Sequence, residues 1–473
     1  MRLRKKIAIG VAVGMLLLAA TFVVVIGPWP AYGPGYREAD YFRHSIAAID
    51  KSAKTLNQWT HYQLMAGWGV SDMTPETGVP LAGYRGRHGK PSVGIHDRLY
   101  VKALVVGDGQ NMAVIIGADI LLVPENVADA VRKAIEARTS LNGTSILFTA
   151  THTHSGPGAF APGWAFRTVT GKYDPKMEDL LIRSFINAVD QGYRSMKPAR
   201  IAHGRLDAKA FIRNRIRRAG VDADLNYAVI ERADGQRCYL TRFSAHPTIL
   251  GSENFELSGD YPGFLQKNIE RFTGATALYL GGAVGSMGIQ KTQGADQFTR
   301  AKMFGETLAR MVIDQTEKGL CFQDHVAVAS IGALIELPPF QLRFGLDGWR
   351  ISPFLARILG IRRTAWLQAV RIGDLLFIGT PGDFSGEISV AWHEWAAKKK
   401  YDLWVTSFCG SYAGYISPDK YYGEITNQKG SLAYETGLMS WCGPDQEAYF
   451  TDLMKHMAES IGPSPISPNS HVK

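Results

Sequence analysis

From Ile7 to Ile26 the chain carries no charge, and Thr21 is its only hydroxyl side chain there. At about 1.5 Å per residue, a helix of this length spans roughly 30 Å, the hydrocarbon core of a bilayer. Arg2, Arg4, Lys5 and Lys6 precede the segment, and Trp29 and Tyr32 follow it. The basic flank places the N-terminus in the cytoplasm, and the aromatic residues suit the far interface. A cleaved signal peptide is the competing reading, with a shorter apolar core and a small-residue cleavage site after it. Ala19 and Ala20 come too early for that site, because Phe22 to Ile26 continue the apolar run. The segment is therefore read as an uncleaved single-pass anchor. In either reading the body of the chain is exported, to the periplasm or the cell exterior.

Of the 473 residues, 46% are hydrophobic and 20% are charged, which suits a large buried core and argues against disorder. Four positive charges of the net +9 sit at the N-terminus, and the rest are dispersed. No basic run or nucleic-acid motif occurs in the body of the chain, so no nucleic-acid partner is expected. A surface facing anionic lipid and an ordinary soluble surface both fit this balance. None of Cys238, Cys321, Cys409 and Cys442 has metal-site spacing. A Cys409–Cys442 disulfide and buried free thiols are both open in an exported chain.

Apolar patterning predicts strands over 99–106, 112–118, 145–150, 237–245, 276–280, 326–337 and 366–379. It predicts helices over 125–138, 176–196 and 298–317. The alternation points to an α/β class with mixed β-sheets covered by helices, in one large domain behind the N-terminal transmembrane helix. The expected divisions are a basic stub and anchor (1–27), a juxtamembrane linker or helical stalk (28–66), a catalytic domain (67–461) and a loose tail (462–473).

The sharpest motif is THTHSGPG, Thr151 to Gly158, directly after the strand ending at Ala150. Sites of α/β folds lie at such strand ends. Alternate residues of an extended chain point the same way, so His152 and His154 can face one pocket. Neutral imidazole is a favoured zinc ligand. Two histidines hydrogen-bonded within a loop are the plainer alternative. His246 also follows a strand, in Phe-Ser-Ala-His-Pro, His96 lies just before one, and Asp119 ends another. With only 12 histidines in the chain, this clustering favours a metal centre.

Taken in order, AGWGVSDMTP, GIHDR, THTHSGPG, the strand ending in SAHP, LSGDYPG, GGAVGSMG and GSYAGYISP resemble the neutral, non-lysosomal ceramidases over about Gly67 to Tyr449. The resemblance implies a Zn2+ ion held by His152, His246, Asp383 and Tyr415. Asp383 stands in Gly-Thr-Pro-Gly-Asp-Phe where the family has glutamate. His154 is implied as an acid–base or hydrogen-bonding partner, with Arg215 and Tyr434 near the substrate. Ser286 falls in a loop that departs from the family's serine loop, so a catalytic serine and a turn residue both stand there. Asp260 is expected as a carboxylate either adjacent to the metal or behind its ligands. The family's additional C-terminal β-domain is expected to have no counterpart here, its docking role passing to the anchor.

The implied activity is hydrolysis of an amide or ester bond in a lipid-like substrate by metal-activated water, within sphingolipid metabolism. Two alternatives stand beside it: a hydrolase of a soluble cell-envelope amide, and a metal-binding receptor or pseudoenzyme. The residues leave the oligomeric state open. Residues 348–364 carry Trp349, Ile351, Phe354, Leu355, Ile358 and Leu359 at helical spacing among Arg350, Arg357, Arg362 and Arg363. That segment is either an amphipathic helix packed on the core or a second membrane contact.

Overall fold

The computed structural model describes residues 2–33, 35–57, 62–217, 219–290, 292–343, 348–358, 362–426 and 433–462. Arg2–Val25 form one helix, long and apolar enough to cross a membrane and not buried against the rest of the chain. A signal sequence shares these properties.

Two sheets build the domain. The larger has eight strands: β1 (Met65–Asp72), β2 (Tyr100–Gly107), β3 (Met112–Ala118), β4 (Ile146–Ala150), β5 (Lys197–Asp207), β6 (Asp224–Arg232), β7 (Arg237–Phe243) and β8 (Thr276–Gly281). Their order is β8-β7-β6-β5-β1-β2-β3-β4. β3 with β4 and β7 with β8 run parallel, and the other neighbours run antiparallel. The smaller sheet has the order β9 (Val328–Glu336), β10 (Thr364–Ile372), β11 (Leu375–Thr380) and β12 (Asp402–Ser407). The expected class, mixed sheets covered by helices, is the observed one. The long apolar stretch predicted over 366–379 is two strands, turning at Gly373, where φ is +64°.

The sheets stack face to face, and that explains why their strands are apolar on both sides. Along β2, Val101, Ala103 and Val105 enter a core shared with the helices Glu125–Glu136 and Pro175–Arg194. The alternate residues Leu104 and Val106 enter the core between the sheets, with Val328, Val370, Phe377 and Trp404. The outer face of the smaller sheet is covered by Asp40–Ala53, Gly386–Lys398 and Gln446–Ser460. Within the 28–66 stretch, Asp40–Ala53 is thus packed on the domain and is not a free stalk. Ile49 is fully buried in this layer, and the hydroxyls of Ser45 and Tyr449 are hydrogen-bonded at 3.0 Å. All four cysteines are free; Cys409 lies between the sheets and Cys442 beyond the smaller one.

The large sheet curls until its two ends meet. A Cβ at Gly117 would lie 2.6 Å from the Tyr279 carbonyl oxygen, and one at Gly281 would lie 2.4 Å from that of Ala150. Only glycine allows β8 to approach β3 and β4 so closely. This closure brings the end of β4 beside the end of β7.

An ionic clip joins the sheets. His203 on β5 bonds Asp374 (3.0 Å) and Asp402 (2.8 Å). Burial alone would lower the imidazole pKa, but bonds to two carboxylates raise it from 6.5 to about 9. That shift corresponds to roughly 3 kcal/mol between the two protonation states. Because the folded-state pKa is the higher one, this stabilisation is complete below 6.5 and is lost as pH rises through about 9. His203→Gln should lower the melting temperature clearly at pH 6 and far less at pH 10, measured on the full chain in detergent.

Candidate metal centre

His152 follows β4 in a left-handed conformation (φ +64°), its N–H donating to the Ile120 carbonyl at 3.0 Å. Non-glycine residues adopt this region at an energetic cost and cluster at functional sites. Ser286 (φ +64°) and Phe408 (φ +67°) share it, and the Phe408 ring stacks on His152 with centroids 4.2 Å apart. His152 Nδ1 lies 2.6 Å from the Leu121 carbonyl oxygen, and His246 Nδ1 lies 3.3 Å from that of Val284. A carbonyl only accepts, so each Nδ1 carries the proton and each Nε2 presents a lone pair.

The three Nε2 atoms converge. His152 and His246 are separated by 3.0 Å, His154 and His246 by 3.0 Å, and His152 and His154 by 3.4 Å. Asp383 Oδ1 stands 3.3 Å from His152 Nε2, buried and without a hydrogen bond. Tetrahedral ligands at the zinc–nitrogen distance of about 2.0–2.1 Å are separated by about 3.3–3.4 Å. The donor set therefore fits one small divalent cation, and His152, His154 and His246 form a group able to hold it. Burial, reinforced by neighbouring positive groups, holds the pKa values of His154 and His246 well below 6.5, which keeps both rings neutral.

Neighbouring short strands place Asp383 beside Tyr415. Asp383 Oδ2 accepts from the Tyr412 hydroxyl at 2.7 Å. Arg215 Nη2 donates to the Tyr415 hydroxyl oxygen at 3.1 Å. Burial, then the Asp383 charge, raises the Tyr415 pKa well above 10. Tyr434 is 51% exposed and meets Tyr415 edge-on, with centroids 5.5 Å apart, at the mouth of the site.

Arg215 is held by Glu435, whose Oε1 accepts from Nε (2.8 Å) and Nη2 (2.7 Å). Glu435 Oε2 accepts from Ser286 Oγ at 2.8 Å. Burial would lower the Arg215 pKa, but the Glu435 carboxylate more than offsets this and keeps the guanidinium charged.

All eight expected site residues thus lie in one network: His152, His154, His246, Asp383, Tyr415, Arg215, Tyr434 and Ser286. His154, expected beside the ion, has its Nε2 inside the donor cluster. Asp260, expected next to the metal or behind its ligands, spends its carboxylate on the N–H groups of Leu250 (3.0 Å) and Tyr261 (2.6 Å). His96 stacks on Phe298 (centroids 3.9 Å apart), and Asp119 accepts from Tyr100 N–H (2.9 Å) and Gln266 (3.0 Å). Neither joins the cluster. Glu435 and Arg87 escaped the sequence reading. Buried Arg87 donates to the carbonyl oxygens of Ala82, His154 and Gly251, holding the histidine loop. Glu435 meets Arg215 across 220 residues, which leaves no local signature.

Residues 64–284 match the family model described as neutral/alkaline non-lysosomal ceramidase, N-terminal. A neutral ceramidase of Mycobacterium tuberculosis is 28% identical over 46% of this chain and 37% of its own length. That of Pseudomonas aeruginosa is 22% identical over 45% and 35%, and neutral ceramidase A of Dictyostelium discoideum is 25% identical over 44% and 32%. The match spans about a third of the length of these relatives. The crystal structure of the Pseudomonas aeruginosa neutral ceramidase superposes with a TM-score of 0.69 at 20% identity, covering 87% of this chain and 77% of that one. A ceramidase complexed with C2 superposes with a TM-score of 0.70 at 18% identity, covering 87% and 78%. At such identities the superpositions speak for the fold. Residues 64–284 thus resemble the N-terminal region of the neutral/alkaline non-lysosomal ceramidases, and the relatives that the chain matches are neutral ceramidases.

Proposed function

We propose that this chain is a zinc-dependent amidohydrolase of a ceramide-like lipid, anchored by residues 1–27, with its catalytic domain (67–461) outside the cytoplasm. The observation that carries the reading is the convergence of three histidine Nε2 atoms with the unpartnered Asp383 Oδ1. His152, His154, His246 and Asp383 would hold the ion, with Tyr415 beside it. When bound, zinc supplies Lewis acidity, which favours negative charge on oxygen and makes water a stronger acid. The Arg215 guanidinium and the Tyr415 hydroxyl are preorganised donors for a substrate carbonyl whose oxygen gains charge. Tyr434, half-exposed at the mouth, is suited to the substrate's polar end. Glu435 fixes Arg215, and Ser286 steadies Glu435. Phe408 walls the histidines from one side.

The test pairs metal analysis of the purified full chain with turnover of N-acyl sphingoid lipids in mixed micelles. About one zinc per chain is expected, with activity lost to a chelator and restored by zinc. Activity that survives chelation would sink the metal reading. A full metal complement without turnover on an amide and ester panel would favour a receptor or pseudoenzyme. Preference for polar cell-envelope amides would redirect the substrate class.

A further inference from the structure

Residues 348–358 fold back onto the end of the N-terminal helix. Trp349 and Arg350 pair antiparallel with Pro30 and Trp29. The Ala31 N–H donates to the Gly348 carbonyl at 2.8 Å, and the Ser352 N–H to that of Ile26 at 2.9 Å. Ser352 Oγ donates to the Val24 carbonyl at 2.6 Å, and Arg350 Nε to that of Pro30 at 2.9 Å. The short helix Pro353–Ile358 touches the N-terminal helix itself. The segment is therefore tied to the last turn of the apolar helix.

Trp349 and Phe354 are nevertheless 46% and 47% exposed, so the expectation of a helix buried in the core does not hold for these residues. The side chain of Ile358, and Leu359 as a whole, lie outside the described residues. Beside the two aromatics the helix end leaves Val23, Val24 and Ile26 exposed, and Arg357 is exposed as well.

We propose that residues 348–358, with Trp29 and Tyr32, form a collar seated in the headgroup region of the bilayer that the N-terminal helix crosses. The proposal rests on reading Ile7–Ile26 as a membrane span. If that helix spans, Val24 and Ile26 lie at the interface, and groups hydrogen-bonded to them lie at the same depth. Aromatic rings prefer that level, and an exposed arginine beside them suits lipid phosphate.

The collar also orients the site. The Tyr32 ring meets Tyr422 edge-on, with centroids 5.9 Å apart. Arg343 lies over Tyr422 at 3.6 Å and donates to the carbonyls of Tyr422 and Thr436. Thr436 directly follows Tyr434 and Glu435. The loop at the mouth of the site is thus linked by contacts to the helix exit, so a seated collar would hold the mouth at a fixed distance from the bilayer.

The test uses the full chain with Cys321→Ser, which removes the exposed thiol, and a polarity-sensitive fluorophore on Phe354→Cys. Leu16→Cys in the span and Met303→Cys on the exposed face of Gln297–Glu317 serve as references. Each is reconstituted into phosphatidylcholine vesicles containing phosphatidylglycerol, with nitroxide lipids at a shallow or a deep position. An interfacial segment buries its apolar face by roughly 5–10 Å. Strong shallow and weak deep quenching is expected at Phe354, the reverse at Leu16, and neither at Met303. Quenching at Leu16 without quenching at Phe354 would overturn the collar and leave the span standing. No quenching at Leu16 would remove the span and the collar with it. A Phe354 signal that depends on protein concentration and persists in detergent would mean a second copy covers this face, and would also overturn the proposal.

Discussion

His246→Ala should strip the metal from the protein and reduce amide turnover to background. The imidazole is one of three whose Nε2 atoms meet, and the Val284 carbonyl fixes its tautomer. Removing it leaves a buried set short of one donor. Changes to the partners of metal ligands typically cost about 10–100-fold in affinity, so loss of a ligand should exceed 100-fold. His152→Ala should behave alike. Zinc titration with a fluorescent competitor would measure it, with circular dichroism to establish that the sheets persist. Wild-type metal affinity in both variants would refute the centre.

The second large effect is expected at Glu435. Glu435→Ala leaves the part-buried Arg215 guanidinium without its carboxylate; breaking a fully buried pair costs about 3–5 kcal/mol, and a smaller loss is expected here. Part of that cost should appear as lost turnover, since Arg215 would no longer be held toward Tyr415. Arg215→Ala combined with Glu435→Ala should be less damaging to stability than the sum of the single changes, because no orphan charge remains. Ser286→Ala removes one hydrogen bond to the same carboxylate and should lower turnover by roughly tenfold, the worth of one such bond. If Ser286→Ala instead abolished turnover while metal stayed bound, serine would be the nucleophile and the assignment to water would be wrong. Chemical denaturation and steady-state kinetics on the four variants separate these outcomes.

The parts of this site that were legible in sequence are those carried by local pattern. THTHSGPG follows a short apolar run that reads as a buried strand, and His246 repeats the placement. The family resemblance then supplied Asp383, Tyr415, Arg215 and Tyr434, all of which lie in the network. What could not be read was set by long-range packing. The Glu435–Arg215 pair joins residues 220 apart, and nothing near Tyr434 hints at it. The entry of His154 into the donor cluster depends on Arg87 and Tyr84, which hold its backbone and ring. Asp260 stays outside the donor cluster because its carboxylate is taken up by local N–H groups, a packing detail with no sequence signature. The stalk expectation failed for a similar reason. A polar amphipathic helix after an anchor looks solvent-facing, yet Ile49 and its neighbours complete the layer over the smaller sheet.

The curl closed by Gly117 and Gly281 also bears on when the centre can be loaded. His152 follows β4, His246 follows β7, and Asp383 enters later still, after β11. Only His152 and His154 are close in sequence, and they are joined by His246 once the ends of the large sheet touch. On the proposed topology, a domain exported unfolded would complete this donor set only on the far side of the membrane. A metal would in that case be taken up last, from the ions of the destination compartment. The cytoplasmic metal pool would then meet no complete donor set.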